Sequence, residues 1–201
     1  MREHIIKETT RLFLQYGLKA IRMDDIATQL GVSKRTIYEI FGDKETLIYE
    51  CMEYYNNKLH AEKNRIMSQA SNIIEEFILL LKNWEKDADA NYNLIVSLKR
   101  FYPNIYKKLS EGHSQKEFET LKRKMIEGVE KGYLLKSVNY DLAISVFTYS
   151  IYGIISNQKA ILPNNVSEKE AFKYVVTYFF RGIATEKGRK LIDEYLENKI
   201  I

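Results

Sequence analysis

Chain breakers are scarce in this sequence, with two prolines and nine glycines among 201 residues. Sandwiches and barrels with many tight turns need more of both, so long helices are expected. The length is enough to bury a proper core, in one large or two small domains. Hydrophobic residues at 45% and charged residues at 29% are the balance of a globular chain rather than a disordered one. A single cysteine, Cys51, rules out an intrachain disulfide and leaves no thiolate cluster for zinc. The opening residues Met1-Arg2-Glu3-His4-Ile5-Ile6-Lys7-Glu8 contain no apolar signal core. The most apolar stretch, Leu142 to Ser156, is interrupted by Ser145, Thr148 and Ser150 and is shorter than the roughly 18 residues of a membrane span. A cytoplasmic, largely helical protein with no membrane partner is expected.

The net charge of +4 and a pI near 8.9 hint only weakly at a polyanionic partner. Residues 1–51 carry eight basic side chains: Arg2, Lys7, Arg11, Lys19, Arg22, Lys34, Arg35 and Lys44. They also carry eight acidic ones: Glu3, Glu8, Asp24, Asp25, Glu39, Asp43, Glu45 and Glu50. The segment sums to zero, so an argument for nucleic-acid binding has to come from where its charges sit.

Helical spacing of Ile5, Thr9, Leu12, Phe13 and Tyr16 predicts a first helix from Arg2 to Tyr16, with Arg2, Lys7, Arg11 and Gln15 outward and Gly17 past its end. Asp24 to Leu30 reads as a short helix, Gly31-Val32 as a turn, and Ser33 to Ile40 as a second short helix that Ser33 can cap. Asp43 can cap a long helix from Lys44 to about Ser68. Further helices are expected over 72–89, 92–102, 114–131, 141–161, 167–184 and 186–198, with Pro103 and Pro163 as breaks and Gly112 and Gly132 as ends.

Ala27, Gly31 and Ile37 are the informative spacing. Two short helices that cross closely need a small residue at the crossing, which Ala27 supplies. Four residues on, the chain must turn with positive φ, which Gly31 does without steric cost. Six further on, Ile37 can plug the angle between the helices, with Ile26, Leu30 and Val32 completing a small core. The pattern sits in one block with Ile26-Ala27, Gly31-Val32-Ser33-Lys34, Tyr38-Glu39-Ile40-Phe41 and Lys44-Glu45-Thr46-Leu47, preceded by Leu12-Phe13 and Gly17. From Ile5 to Tyr49, about a quarter of the chain, this resembles the DNA-binding domain of the TetR (tetracycline-repressor) family of bacterial regulators. Arg22 departs from the family, which usually has Ser or Thr capping the second helix, but adds a cation on the expected DNA side.

A recognition helix in the major groove presents its N-terminal residues to base edges. Lys34 and Arg35 on that first turn can donate to guanine or to phosphate, and Thr36 can meet a thymine methyl or a phosphate. Ser33 stands at the cap. Lys44 opens the long helix, where the dipole favours a phosphate. The resemblance implies phosphate contacts for Tyr38 and Lys44. Against this, paired cations on an exposed helix are ordinarily solvated, Tyr38 can be a packing residue, and Phe41 belongs to the core.

The resemblance also implies a homodimer built on the last helices and a small-molecule effector in the helical body. The expected architecture is all-α. Residues 1–47 form a three-helix helix-turn-helix domain, joined by a long helix to a ligand-binding and dimerisation bundle over residues 48–201. Leu142, Val146, Tyr149, Tyr152 and Ile155 form one apolar stripe, and Phe172, Val175, Val176, Phe179, Phe180 and Ile183 a wider one. Gly153 and Gly182 lie within them, and close backbone approach is a reason for a helix-interior glycine. Tyr149, Gly153, Phe172, Val176, Phe179, Phe180 and Ile183 are therefore candidates for the dimer interface, with monomer core as the alternative. Trp84, Arg100, His113, Tyr149, Tyr152 and Gln158 are candidates to line an effector pocket, against a plain core-edge role. Cys51 is more often inert than an oxidant sensor.

Two other functions are weighed. His4, His60 and His113 are scattered, and no His-Glu-x-x-His, Glu-x-x-His, phosphate-binding glycine loop or Gly-x-Ser-x-Gly elbow is present. No catalysis, cofactor or metal is expected. A helical protein–protein adaptor that has lost DNA binding is disfavoured by intact Lys34, Arg35, Tyr38 and Lys44. The expected partners are double-stranded DNA, a second copy of the chain and a small-molecule effector, in a repressor released from a palindromic operator.

Overall fold

Positive-φ glycines and side-chain caps divide the first third of the chain into helices where the sequence places them. The computed structural model describes residues 1–111, 114–155, 162–163 and 165–197, with the side chains of 84–92, 111, 114–116, 155 and 168 outside that description. Ten helices are described: α1 (Arg2–Tyr16), α2 (Met23–Leu30), α3 (Lys34–Phe41), α4 (Lys44–Met67), α5 (Ile73–Phe101), α6 (Pro103–Glu111), α7 (Ser114–Glu130), α8 (Tyr140–Ile155), α9 (Glu168–Ile183) and α10 (Glu186–Glu197). None of them is long and apolar enough to cross a membrane.

Two elements differ from expectation. α5 is one helix of 29 residues rather than two separated near residue 90. Asp87, Asp89 and Asn91 dilute the apolar pattern there, but the stretch holds no glycine or proline, and such residues cost a helix only tenths of a kcal/mol to roughly 0.7 each. Pro103 does end α5, and it also starts α6. At the first position of a helix its missing N–H costs nothing and its fixed φ is already helical.

The described chain forms two compact units. The first joins Met1–Glu62 to Asp89–Gly112; the second joins Lys63–Ala88 to His113–Ile201. This division is drawn differently from a boundary after residue 47. Leu47, Ile48, Cys51 and Met52 of α4 are buried in the same cluster as Ile5 and Phe13 of α1, Ile26 of α2 and Ile37 of α3. Leu94 and Leu98 of α5 and Ile105 of α6 complete that core.

In the second unit Ile74, Phe77, Leu81, Met125, Ile144, Val176, Phe180 and Ile192 form the core. The Phe77 and Phe180 rings stack with centroids 4.3 Å apart. Glu76 of α5 is buried but ion-paired with Lys124 of α7. A short backbone bridge at Leu134 and Ala184 ties the α7–α8 loop to the α9–α10 junction, with Leu135 N–H donating to Ile183 O at 2.9 Å and Thr185 N–H to Tyr133 O at 3.0 Å.

Candidate nucleic-acid interface

The site begins with how α2 and α3 are held. Arg22, at the N-cap of α2, lacks a hydroxyl to cap the helix, but its backbone N–H donates to Asp25 Oδ2 at 2.7 Å. The acid three residues in thus secures one half of a capping arrangement that Arg22 itself cannot supply. Gly31 ends α2 at φ 65°, ψ 28°, in the left-handed region. Val32 N–H then donates to Ala27 O at 3.0 Å, which closes the turn. Ala27 is buried at the crossing and Ile37 is fully buried between the helices.

Ser33 caps α3: its Oγ accepts from Thr36 N–H at 3.0 Å and lies 2.7 Å from Thr36 Oγ1. With Ile37 and Phe41 facing inward, Ser33, Lys34, Arg35 and Tyr38 are exposed and Thr36 is half-buried. The helix therefore presents a free polar face, and both cations on it have carboxylate partners. Lys34 Nζ lies 2.9 Å from Asp24 Oδ1 and donates to Oδ2 at 3.0 Å. Hydrogen bonding to Asp24, and then its charge, raise the Lys34 pKa. Arg35 Nε donates to Glu39 Oε1 at 2.7 Å.

α4 starts beside this face. Asp43 Oδ1 accepts from Thr46 N–H at 2.7 Å, and that bond holds its carboxyl below the ordinary range. Lys44 Nζ donates to Leu18 O at 3.0 Å, and partial burial lowers its pKa. It braces the α1–α2 turn and retains two further N–H groups for an anion. Arg22 is exposed.

Sequence reasoning missed three parts of this arrangement. Arg2, expected to point outward, pairs with Glu50 of α4, donates to Ile40 O at 3.0 Å and lies over the Phe41 ring at 4.9 Å. It ties α1 to the end of α3. The cap by Asp25 was legible as an acid three residues after an N-cap. The Lys34–Asp24 pair spans ten residues and becomes visible only once the turn geometry is known.

A short helix, a left-handed glycine turn and a second short helix with a polar outer face define a helix-turn-helix DNA-binding regulator. Residues 5–51 match the family model of bacterial regulatory proteins, tetR family. Across 93% of the chain and 97% of the relative, the sequence is 23% identical to the HTH-type transcriptional regulator YvaF of Bacillus subtilis (strain 168). A transcriptional regulator of Cytophaga hutchinsonii superposes with a TM-score of 0.74 at 23% identity, covering 91% of this chain and 98% of that one. A regulator of Saccharomonospora viridis, solved in complex with choline, gives 0.71 at 16% identity, covering 92% and 98%. Residues 5–51 thus match the DNA-binding domain of the tetR family, and the chain as a whole has the fold of these solved transcriptional regulators.

Of the residues expected to bind an effector, Arg100, Tyr149 and Tyr152 have described side chains. Arg100 belongs to the first unit, exposed, with its guanidinium 5.2 Å from the Phe101 ring centroid. Tyr149 and Tyr152 stand exposed on the outer face of α8, because Ile144, Phe147 and Ile151 take its inner face. The Trp84 side chain, His113 and Gln158 lie outside the described residues.

The expected dimer residues divide by helix. Val176, Phe180 and Ile183 are buried in the core of the second unit, and half-buried Phe172 and Phe179 pack against it. Phe179 stacks on Phe147 of α8 at 4.4 Å. On α9 these residues pack within the protomer, the monomer-core alternative that the sequence left open. Tyr149 and Gly153 do lie on the outer side of α8, where Leu142, Val146 and Tyr152 join them. α9 adds Tyr174 and Tyr178, whose rings stack at 5.5 Å on the face away from the core.

Proposed function

We propose that the chain acts as a homodimeric repressor that binds a near-palindromic operator through two copies of α3 and leaves it when a small-molecule effector binds. The observation that carries the DNA-binding part is the polar outer face of α3, held at a fixed angle by buried Ile37 and the left-handed turn at Gly31. In that role Lys34 and Arg35 read base edges. Thr36, Tyr38, Ser33, Arg22 and Lys44 contact the backbone or fix the helix that does.

The dimer reading is supported by the apolar outer faces of α8 and α9. Leu142, Val146, Tyr149, Tyr152, Tyr174 and Tyr178 are all exposed, Tyr149 at 78% and Tyr178 at 63%. A surface of that character on a chain of this size marks an interaction site. A second copy also supplies the second half-site contact, about 34–36 Å away, that one short helix needs for specific binding. Effector release is supported by likeness: a regulator of similar fold was solved with choline. A ligand that favours a dimer with the wrong half-site spacing lowers DNA affinity by its differential affinity for that state.

The test is selection of bound duplexes from a random pool with the purified protein, at two salt concentrations. The expected result is an enriched inverted repeat bound in a salt-sensitive manner, and loss of that specific affinity in Lys34→Ala plus Arg35→Ala. Selection of no sequence by the folded protein would favour the adaptor reading.

A further inference from the structure

We propose that Asp24 and Glu39 are specificity-determining residues: each occupies a recognition-helix cation, so that DNA of any sequence must displace a carboxylate before that cation can bind it. This rests on the reading that α3 enters the major groove. The pairs lie on the surface that would meet the duplex. Lys34 and Asp24 come from successive helices, with side chains 50% and 65% exposed, and meet at 2.9 Å. Arg35 and Glu39 are one turn apart on α3 itself and meet at 2.7 Å. Over residues 22–41 the cations Arg22, Lys34 and Arg35 are balanced by Asp24, Asp25 and Glu39. Asp25 is engaged in capping α2, whereas Asp24 and Glu39 engage the cations.

Exposed ion pairs of this kind contribute little to folding, so stability does not account for them. Their effect on DNA is larger. Binding to unselected sequence is almost wholly the attraction of phosphates for bare cations. Here a phosphate meets a cation already paired, and the displaced carboxylate is left facing the polyanion. A matched base sequence compensates through directed hydrogen bonds to base edges, for which Arg35 has the bidentate geometry. Unselected sequence has no such compensation. The carboxylates therefore lower background binding more than they lower operator binding.

The full-length protein and its Asp24→Asn and Glu39→Gln variants should be titrated against the selected operator and against a random-sequence duplex of equal length, across a salt series. Glu127→Gln is the charge control. It removes the same charge from the exposed pair that Glu127 of α7 makes with Lys131, one residue past the helix end. The expected result is that Asp24→Asn and Glu39→Gln each tighten random-duplex binding by about five- to tenfold at low salt. Each should also steepen the log–log salt slope by up to about one per DNA-binding domain. Operator affinity should move less than twofold, so the specificity ratio falls, and Glu127→Gln should change neither. Unchanged random-duplex binding, equal tightening on both duplexes, or the same effect from Glu127→Gln would overturn the inference. Wild-type protein that binds neither duplex in a salt-dependent way would remove the DNA-binding reading along with it. Thermal melts that match the wild type exclude a folding origin for any change.

Discussion

Arg2 and Cys51 show how far a single residue's role depends on what folds around it. By sequence Arg2 is one more cation on the polar side of α1. In the fold it joins Glu50, the Ile40 carbonyl and the Phe41 ring, so one side chain braces α1 against α3 and α4. A surface ion pair alone contributes about 0–1 kcal/mol, and the bond to a backbone carbonyl adds to it. Arg2→Ala is therefore expected to cost about 1 kcal/mol and lower the melting temperature by about 2–4 °C. Cys51 is fully buried, and burial pushes its thiol up to about 12. It should stay unreacted with an aromatic disulfide reagent at pH 8 until the protein unfolds, as an inert structural cysteine does. The same shift fixes a pH dependence. Below pH 9 the thiol is protonated in both folded and unfolded chains. Above it only the unfolded chain releases the proton, so stability falls by up to about 1.4 kcal/mol per pH unit until about pH 12. Denaturant midpoints measured between pH 8 and 11 should show that slope in the wild type and lack the Cys51 component in Cys51→Ala.

At the scale of helices, glycines discriminate between packing inside the protomer and packing outside it. A Cβ at Gly188 of α10 would run into the Tyr133 carbonyl oxygen, and one at Gly128 would lie 2.7 Å from Ile73 Cγ2. Neither position stood out in the sequence. Gly153 and Gly182 did stand out, yet a Cβ at either meets nothing within 4 Å among the described residues. Gly188→Ala is thus expected to destabilise by about 1–3 kcal/mol. Gly182→Ala should stabilise the protomer by up to about 1 kcal/mol through helix propensity alone. Chemical denaturation of the two variants checks both signs. The same contrast explains what was legible. α1 to α4 could be read because each break carries its own local signal: Gly17, Gly31, Ser33, Asp43. The facing of α9 could not. Phe172, Val175, Val176, Phe179 and Phe180 crowd one side while Tyr174 and Tyr178 occupy the other, and an apolar pattern on both sides does not say which side meets its own core. Asp24 and Glu39 were visible only as charges in a sum of zero, because their partners are set by tertiary placement.

For the whole molecule, the outer face of α8 and α9 carries the next prediction. Tyr149→Glu places a charge on the exposed side of α8, where Tyr149 is 78% exposed and outside the protomer core. If the proposed dimer forms through this face, sedimentation equilibrium should find a folded monomer for the variant at concentrations where the wild type sediments as a dimer. Operator affinity should fall by about a hundredfold or more as bivalent binding is lost. A dimer that persists in Tyr149→Glu would move the interface elsewhere. The first compact unit has a different kind of consequence. Its core is threaded from two separate lengths of chain, Met1–Glu62 and Asp89–Gly112, so it is not a cassette that can be cut out at one junction. Exchanging only the first 47 or 62 residues with those of a relative would leave Leu94, Leu98 and Ile105 facing a foreign surface. Hybrid regulators made from this chain, whether by recombination in nature or by engineering, should fold only when both lengths travel together.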